Sequence, residues 1–386
     1  MIKAVLLDLD ETLLRNPNQG FVGRYLELVD EFFTQRWGQP ISKPLFDSVR
    51  MMMTSVRDMQ HSNAHLAFET IQQTTGDSLA DIEAALDDFY RSFLHYPALQ
   101  SFTQPIPGAP DLIQYLKTNG YAVVIATNPV YPAEAIRQRL LWGGLSGDFA
   151  DYAFVTHAEN MHFAKPDPAY YAEILTRIGV EPDEALMVGD NLDYDIHPAA
   201  HIGLHTFHIA PGDLQAFIAQ VNTLESWATP APTPTNIEAQ LRGSMGALFG
   251  LLDHVQPHFW NQHPDPHEWS LLQIVCHLLE REDDVQRPRL ERILAEDNPF
   301  IIDPGMPLGP RDFAPCDDDG FSAAHRFKAT RQHTLQFITQ INPEDWARPA
   351  RHSIFGNTTL LEMALFTAQH DRLHLRQLDQ TLAKCE

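Results

Sequence analysis

The sequence is short of basic residues and of long apolar segments, and both shortages narrow what the protein can do. Only 27 Lys and Arg stand against 51 Asp and Glu, which gives a formal net charge of −24. Such a charge repels nucleic acid phosphates and anionic membranes, so neither is an expected partner. The sequence also lacks a run of about 18 apolar residues, which excludes a membrane-spanning helix.

Cysteine is scarce as well. Three cysteines, Cys276, Cys316 and Cys385, are too few for a disulfide framework in 386 residues. The first residues also lack the long apolar stretch and the small-residue cleavage site of a signal peptide. Both observations favour a cytoplasmic protein. Hydrophobic residues make up 44% of the chain, and a chain of this length can bury a sizeable core in two or three domains.

A proline-rich stretch, predicted to be a linker over residues 226–236, divides the sequence into two parts of different character. Its three prolines within residues 228–235 favour an extended spacer. Before it, short apolar runs alternate with helical patterns, as parallel strands alternate with crossover helices. After it, four helical stretches and no strands are expected, which predicts an all-α four-helix bundle over residues 237–386.

The first part is predicted to be a doubly wound α/β fold. Its five predicted parallel strands lie at residues 4–7, 122–126, 153–156, 185–188 and 204–208. About 85 residues with helical periodicity separate the first two strands, which is far more than a crossover needs. We therefore expect an inserted helical cap over residues 16–102, with the sheet domain formed by residues 1–15 and 103–225.

Polar side chains follow these strands, at the edge of the sheet where ligands bind in open α/β folds. They are Asp8, Asp10, Thr127, Asn128, Lys165, Asp190 and Asp195. The carboxylates of Asp8 and Asp190 suit Mg²⁺, which prefers oxygen ligands and offsets the repulsion between Asp8 and a phosphate. Asp8 could then attack phosphorus and form an aspartyl-phosphate. Asp10 is the candidate general acid and base.

Thr127 and Lys165 are suited to stabilise a transferring phosphoryl group, the first through its hydroxyl and the second through its positive charge. Asn128 is a further candidate for binding the substrate. Asp193 competes with Asp195 for the role of the outer carboxylate.

Together and in this order, DLDET, Thr127, the Lys165–Pro166 step and GDNLDYD resemble the four motifs of the haloacid dehalogenase-like (HAD) hydrolase superfamily. The resemblance implies that Asp8 is the nucleophile and that Asp10 also lends its backbone carbonyl to Mg²⁺. It favours Asp195 over Asp193, and it implies a cap that selects the substrate. Because similar dehalogenases lack the second acid, Asp10 indicates a phosphatase. The expected substrate is a small phosphorylated metabolite.

Three basic residues of the cap, Arg50, Arg57 and His61, are predicted to share one helical face. They form either a solvated stripe or a contact with an anionic group of the substrate. Three further histidines are predicted to be surface or packing residues, namely His157, His162 and His201.

Three histidines of the second part indicate a metal site. His370 and His374 lie four residues apart on the apolar face of the last predicted helix, and His277 lies in an apolar stretch of the second. Buried imidazoles repel one another when charged and lack partners when neutral, and one divalent ion satisfies all three. Three histidines with an open position are typical of catalytic zinc, although Ni²⁺, Mn²⁺ or Fe²⁺ would also fit.

The Trp269–Ser270 pair, the His277–Leu278 step and the final His-x₃-His resemble the DinB-like domain over residues 237–386. The resemblance implies a divalent metal at the three histidines. It leaves two alternatives to a phosphatase as the main activity. The bundle could be a metal-dependent transferase that uses a thiol, or a non-catalytic scaffold through which the chain forms a homodimer.

Overall fold

A computed structural model describes residues 1–16, 20–54, 57–221, 223, 233–303 and 319–385. The chain divides into two compact units, Met1–Pro230 and Ala231–Glu386. Of the predicted linker over residues 226–236, positions 226–232 lie outside the described residues, and a helix begins at Pro234. None of the described helices is long and apolar enough to cross a membrane.

A parallel sheet lies at the centre of the first unit. The strands of this unit are β1 (Ala4–Leu7), β2 (Leu14–Arg15), β3 (Gln104–Pro105), β4 (Ala122–Ile125), β5 (Phe154–Val155), β6 (Ala185–Gly189) and β7 (His205–His208). Five of them form the sheet in the order β5-β4-β1-β6-β7. Leu7 at the end of β1 pairs with Ile125 on one side and Val188 on the other. The predicted α/β class is therefore confirmed, with the residues that follow β1 at the middle of the sheet edge.

The helices of the first unit are α1 (Phe21–Trp37), α2 (Ser42–Thr54), α3 (Asn63–Thr75), α4 (Leu79–Arg91), α5 (Ala109–Thr118), α6 (Ala133–Trp142), α7 (Pro168–Ile178), α8 (His197–His201) and α9 (Gln215–Ile218). The first four of these, α1 to α4, lie within the predicted cap. Strands β2 and β3 pair antiparallel where the chain enters and leaves it. Ser62 and Ser78 start α3 and α4 by accepting hydrogen bonds from backbone amides, as serine does at helix N-termini.

The cap and the sheet share one hydrophobic core, so the cap is packed onto the sheet domain. One prediction for the cap is wrong. Helix α2 carries Arg50 but ends at Thr54, and Arg57 lies in an irregular segment beyond it. Arg50 and Arg57 therefore do not share a helical face, because the helical spacing does not continue between them.

The second unit is mainly helical. Its helices are α10 (Pro234–Leu252), α11 (Leu271–Arg281), α12 (Arg287–Ala295), α13 (Gly320–Thr339) and α14 (Leu360–Cys385). Ser270 and Gln273 form the predicted capping box at the start of α11. A π-helical turn, Glu282–Gln286, joins α11 to α12.

The expectation of no strands in the second unit is wrong. A three-stranded sheet is formed by β8 (Phe300–Ile301), β9 (Pro349–His352) and β10 (Gly356–Thr359), in the order β10-β9-β8. Each strand has two to four residues, and β9 buries only every second one. Strand β8 is too short, and β9 and β10 are too polar, to show the apolar run by which a strand is recognised in a sequence.

Candidate functional site

The charged residues predicted to meet at the sheet edge lie together. Asp8 follows β1, and Lys165 comes from the loop that leads to α7. The Lys165 ammonium donates a hydrogen bond to Asp8 Oδ1 at 2.7 Å and another to Asp195 Oδ1 at 2.5 Å. Oxygen atoms of Asp8, Asp190 and Asp195 lie within 4.8 Å of one another. One buried lysine therefore contacts two of the three carboxyl groups that cluster here.

The balance of charge in this cluster is negative. Burial raises the pKa of Asp8 to about 7, and the Asp195 carboxylate adds to this effect while Lys165 opposes it. Burial and the neighbouring Asp195 raise the pKa of Asp190 to about 6. Burial disfavours the charged form of Lys165, but Asp195 and Asp8 raise its pKa well above the ordinary value. A cluster of hard oxygen donors with surplus negative charge fits a divalent cation such as Mg²⁺.

A glycine lets Asp195 approach the strand end. A Cβ atom at Gly189 would lie 2.3 Å from Asp195 Oδ2, which is closer than real Cβ atoms come to their neighbours. The same carboxyl oxygen accepts a hydrogen bond from the backbone N–H of Asn191 at 3.1 Å. Asp193, the other candidate for this role, is exposed.

The Asp10 carboxylate has its partners outside the carboxyl cluster. It forms an ion pair with Arg139 of α6, and the side-chain amide of Asn16 donates to it at 2.8 Å. The Arg139 guanidinium is buried beside the rings of Phe21 and Tyr131, at 5.5 and 5.3 Å from their centroids. Its Nε and Nη1 atoms have no hydrogen-bond partner among the described residues. The Asp10 side chain is thus outside the carboxyl cluster, whereas the role predicted for it at Mg²⁺ uses the backbone carbonyl.

Sequence reasoning missed Arg139. The sequence gives no signal for it, because α6 also carries Glu134 and Arg137 and the partner Asp10 is distant in the sequence.

Thr127 and Asn128 lie in the loop after β4. Thr127 is buried, and its backbone carbonyl accepts hydrogen bonds from Thr156 Oγ1 at 2.7 Å and from the Tyr170 hydroxyl at 2.8 Å. Asn128 Oδ1 is buried and has no partner among the described residues. A buried acceptor of this kind is costly unless a ligand or water satisfies it.

The three predicted histidines of the second unit converge. Nε2 of His277 lies 3.2 Å from Nε2 of His370, and nitrogen atoms of all three rings lie within 4.8 Å of one another. His374 Nδ1 lies 3.0 Å from Gln377 Oε1, which orients its ring. The Trp269 ring stacks on the His374 ring with 5.7 Å between centroids.

These imidazoles are held in the neutral form. Burial lowers the pKa of His277 to about 3 and that of His370 to about 2, and the other rings of the group add to the effect. Burial also lowers the pKa of His374. Neutral imidazole nitrogens that face one another suit a divalent transition metal ion.

All three cysteines belong to the second unit. Cys276, next to His277, is buried. Cys385 is a free cysteine, and Cys316 lies outside the described residues.

Comparisons with known proteins match a family to each of the two units. Residues 240–378 match the DinB superfamily, and residues 2–203 match the haloacid dehalogenase-like hydrolase family. The glyceraldehyde 3-phosphate phosphatase of Pyrococcus furiosus is 26% identical over 208 residues, which are 53% of this chain and 79% of that protein. The phosphoserine phosphatase of Thermus thermophilus is 23% identical over 235 residues, covering 55% of this chain and 90% of that protein.

Among solved structures, an HAD phosphatase from Thermococcus onnurineus is 22% identical with a TM-score of 0.35, and the match covers 54% of this chain and 86% of that one. The family match extends over more than half of the chain and includes the whole carboxyl cluster. The chain belongs to the haloacid dehalogenase-like hydrolase family and carries a DinB-like region behind its hydrolase domain.

Proposed function

We propose that the first unit is a Mg²⁺-dependent phosphohydrolase that acts on a small phosphorylated metabolite through an aspartyl-phosphate. The observation that carries this proposal is the buried Lys165 between Asp8 and Asp195, with Asp190 within 4.8 Å of both carboxyl groups. The two relatives above are named as phosphatases of small metabolites, which supports the same class of substrate.

Asp8, Asp190 and Asp195 would hold Mg²⁺, together with the backbone carbonyl of Asp10. The cation would offset the negative charge that these carboxylates and a phosphate group share. Lys165 adds a fixed positive charge beside Asp8, where the phosphoryl oxygens would lie. Thr127 and Asn128 provide a hydroxyl and a carboxamide at the same edge of the sheet.

The reaction would proceed in two displacements. In the first, a carboxylate oxygen of Asp8 forms a bond to phosphorus while the ester P–O bond breaks, and Asp10 gives its proton to the departing oxygen. In the second, water attacks phosphorus, Asp10 accepts its proton, and the bond between phosphorus and Asp8 breaks. The ion pair with Arg139 and the hydrogen bond from Asn16 orient the Asp10 side chain.

Three charge-neutralising variants test this proposal in the full chain. We expect Asp8→Asn to abolish Mg²⁺-dependent phosphate release from a panel of phosphorylated metabolites. We expect Asp10→Asn to slow it by about 10²- to 10⁴-fold, the range for a lost general acid or base. Asp193→Asn is the matched control, because it makes the same change at an exposed carboxylate close in sequence to Asp190 and Asp195. Equal rates for Asp8→Asn and the control would contradict the proposal.

We further propose that His277, His370 and His374 bind a divalent transition metal ion in the second unit. The facing Nε2 atoms of His277 and His370 carry this proposal, because at most one of two neutral rings can donate a hydrogen bond between them. The ion would be Zn²⁺, Ni²⁺, Mn²⁺ or Fe²⁺. A bound metal with an open position would favour the transferase alternative for this unit.

Elemental analysis of the full chain tests the second proposal without an activity assay. The purified protein should contain close to one transition metal ion per chain, and His374→Ala should lose it. His333→Ala is the matched control, because His333 is exposed on α13. If the parent protein takes up neither Zn²⁺, Ni²⁺ nor Mn²⁺, the histidines are core residues, and the bundle is better explained as a scaffold or homodimerisation module.

A further inference from the structure

The cap is hydrogen-bonded to the two loops of the sheet domain that carry Thr127 and Lys165. Asn63, the first residue of α3, is fully buried. Its side-chain amide donates to the carbonyl of Pro129 at 3.3 Å and to the carbonyl of Phe163 at 3.1 Å. Pro129 follows Thr127 by two residues, and Phe163 precedes Lys165 by two. A single carboxamide therefore joins both loops.

The orientation of this carboxamide is fixed by its other contacts. Arg57 Nη2 donates to Asn63 Oδ1 at 3.2 Å, while Arg57 Nε donates to the carbonyl of His162 at 3.2 Å. The backbone amide of Asn63 donates to the carbonyl of Met161 at 2.8 Å. Since Oδ1 faces a guanidinium, the amide nitrogen must face the two loop carbonyls.

The sheet domain holds the same loops from its own side. The fully buried Glu173 carboxylate accepts hydrogen bonds from the backbone amides of His162 and Phe163 at 3.0 and 3.3 Å, and it contacts His162 Nδ1 at 2.7 Å. His162, predicted to be a surface or packing residue, therefore packs inside the loop before Lys165. Thr156 and Tyr170 bind the carbonyl of Thr127 from below. Asn63 supplies the hydrogen bonds from the cap that link one loop to the other.

Apolar packing also joins the cap to the loop before Lys165. Ala164, the residue before Lys165, is buried in a small cluster with Met52 and Ala67 of the cap. The cap thus contacts the two residues that precede Lys165, through a hydrogen bond to Phe163 and through apolar contact with Ala164.

We propose that Asn63 is a positioning residue, which ties the Thr127 loop to the Lys165 loop. The phosphate-binding groups of these loops then reach their working separation only when the cap is packed on the sheet domain. This inference rests on the proposed phosphatase function and extends it from the sheet edge to the cap. It predicts that the cap governs affinity for the phosphate group itself, in addition to any contact with the rest of the substrate.

Two variants remove the bridge in different ways. Asn63→Ala deletes all three side-chain hydrogen bonds. Asn63→Asp keeps the shape and the contact with Arg57, but it places a carboxylate oxygen against the two loop carbonyls, which cannot donate to it. Gln72→Ala is the matched control, because Gln72 lies on the same helix and its side-chain amide donates to the carbonyl of Asp77 within the cap.

The measurement is the affinity of the full chain for inorganic phosphate in the presence of Mg²⁺, by calorimetry and by competitive inhibition of turnover. We expect both Asn63 variants to weaken phosphate binding by about tenfold or more, with a parallel loss in kcat/KM, because two buried hydrogen bonds are lost. The control should match the wild type. A purely structural role for Asn63 would lower the active fraction and leave phosphate affinity unchanged, and that result would overturn the proposal.

Arg57→Met keeps the proposal testable if the Asn63 variants do not fold. It removes the guanidinium that orients the carboxamide, so phosphate affinity should fall by a smaller factor, and an unchanged affinity would overturn the proposal. The proposed function and this inference fail in different ways. A wild-type protein that binds phosphate but hydrolyses no phosphate ester would contradict the proposed function alone. An active wild-type protein, with Asn63 variants whose phosphate affinity is unchanged, would contradict the inference alone.

Discussion

Replacing Gly189 by alanine should separate Asp195 from Lys165. An added Cβ atom would lie 2.3 Å from Asp195 Oδ2 and 2.7 Å from Asp195 Cβ, and real Cβ atoms essentially never come within 3.0 Å of a neighbour. Asp195 must therefore move, and its 2.5 Å contact with the Lys165 ammonium cannot survive unchanged. The hydrogen bond from the Asn191 amide is lost with it.

The size of the effect follows from these contacts. Overpacking costs about 1–3 kcal/mol and breaking a buried ion pair about 3–5 kcal/mol. Lys165 keeps its second partner, Asp8, so the loss should fall below the sum. We expect Gly189→Ala to reduce the free energy of unfolding by about 2–4 kcal/mol. Hydrogen exchange over the peptides that contain β1 and β6 measures this value for the first unit alone.

Two comparisons make this prediction specific. Gly23→Ala is the matched control, because a Cβ at that position of α1 has no atom within 4 Å apart from its chain neighbours and the backbone of its own helix. It should stabilise the protein by about 0.5–1 kcal/mol, as is usual for glycine inside a helix. In an Asp195→Gly background the Cβ atom at 2.7 Å is removed as well and the clash is gone, so Gly189→Ala should then cost little. An equal cost in both backgrounds would refute the reasoning.

The remaining predictions concern other buried charges. Arg331→Met should destabilise the second unit by about 3–5 kcal/mol in urea unfolding, because it leaves the buried Glu282 and Asp371 carboxylates without their shared guanidinium; a loss near zero would contradict this. The folded state lowers the pKa values of His277 and His370 and keeps both rings neutral, whereas the unfolded chain takes up protons below about pH 6.5. The melting temperature of the second unit in metal-free buffer should therefore fall as the pH drops below about 6.5. A melting temperature that does not change in this range would show that these rings are not buried. Arg139→Met should lower kcat by about 10- to 100-fold, which is part of the contribution of a general acid or base. In an Asp10→Asn background the same change should lower kcat little further. Additive losses in kcat would show that Arg139 does not act through Asp10.

The sheet and its edge could be predicted because their signals are local. Buried parallel strands read as short apolar runs, and Asp8, Thr127 and Asp190 each follow a strand within two positions. The histidine group was predictable for a similar reason. The four-residue spacing of His370 and His374 places both on one face of α14, and His277 had only to come from a neighbouring helix.

The missed features depend on contacts between distant parts of the chain. Arg139 meets Asp10 only when α6 has folded against the loop after β1, and Asn63 meets Pro129 and Phe163 only after the cap has packed on the sheet domain. No spacing in the sequence announces such pairs. The strands β8 to β10 were missed for a different reason, since strands of two to four residues with alternating burial carry too little apolar pattern.

The central claim is that Asp8 accepts the phosphoryl group. The most direct measurement is rapid acid quenching of the full chain during turnover of a phosphorylated metabolite with Mg²⁺, followed by mass spectrometry of the peptide that contains Asp8. The account predicts one phosphoryl group on Asp8 in the wild-type peptide and none in Asp8→Asn, which should also release no phosphate. Sustained phosphate release by Asp8→Asn, with no phosphoryl group on the wild-type peptide, would contradict it.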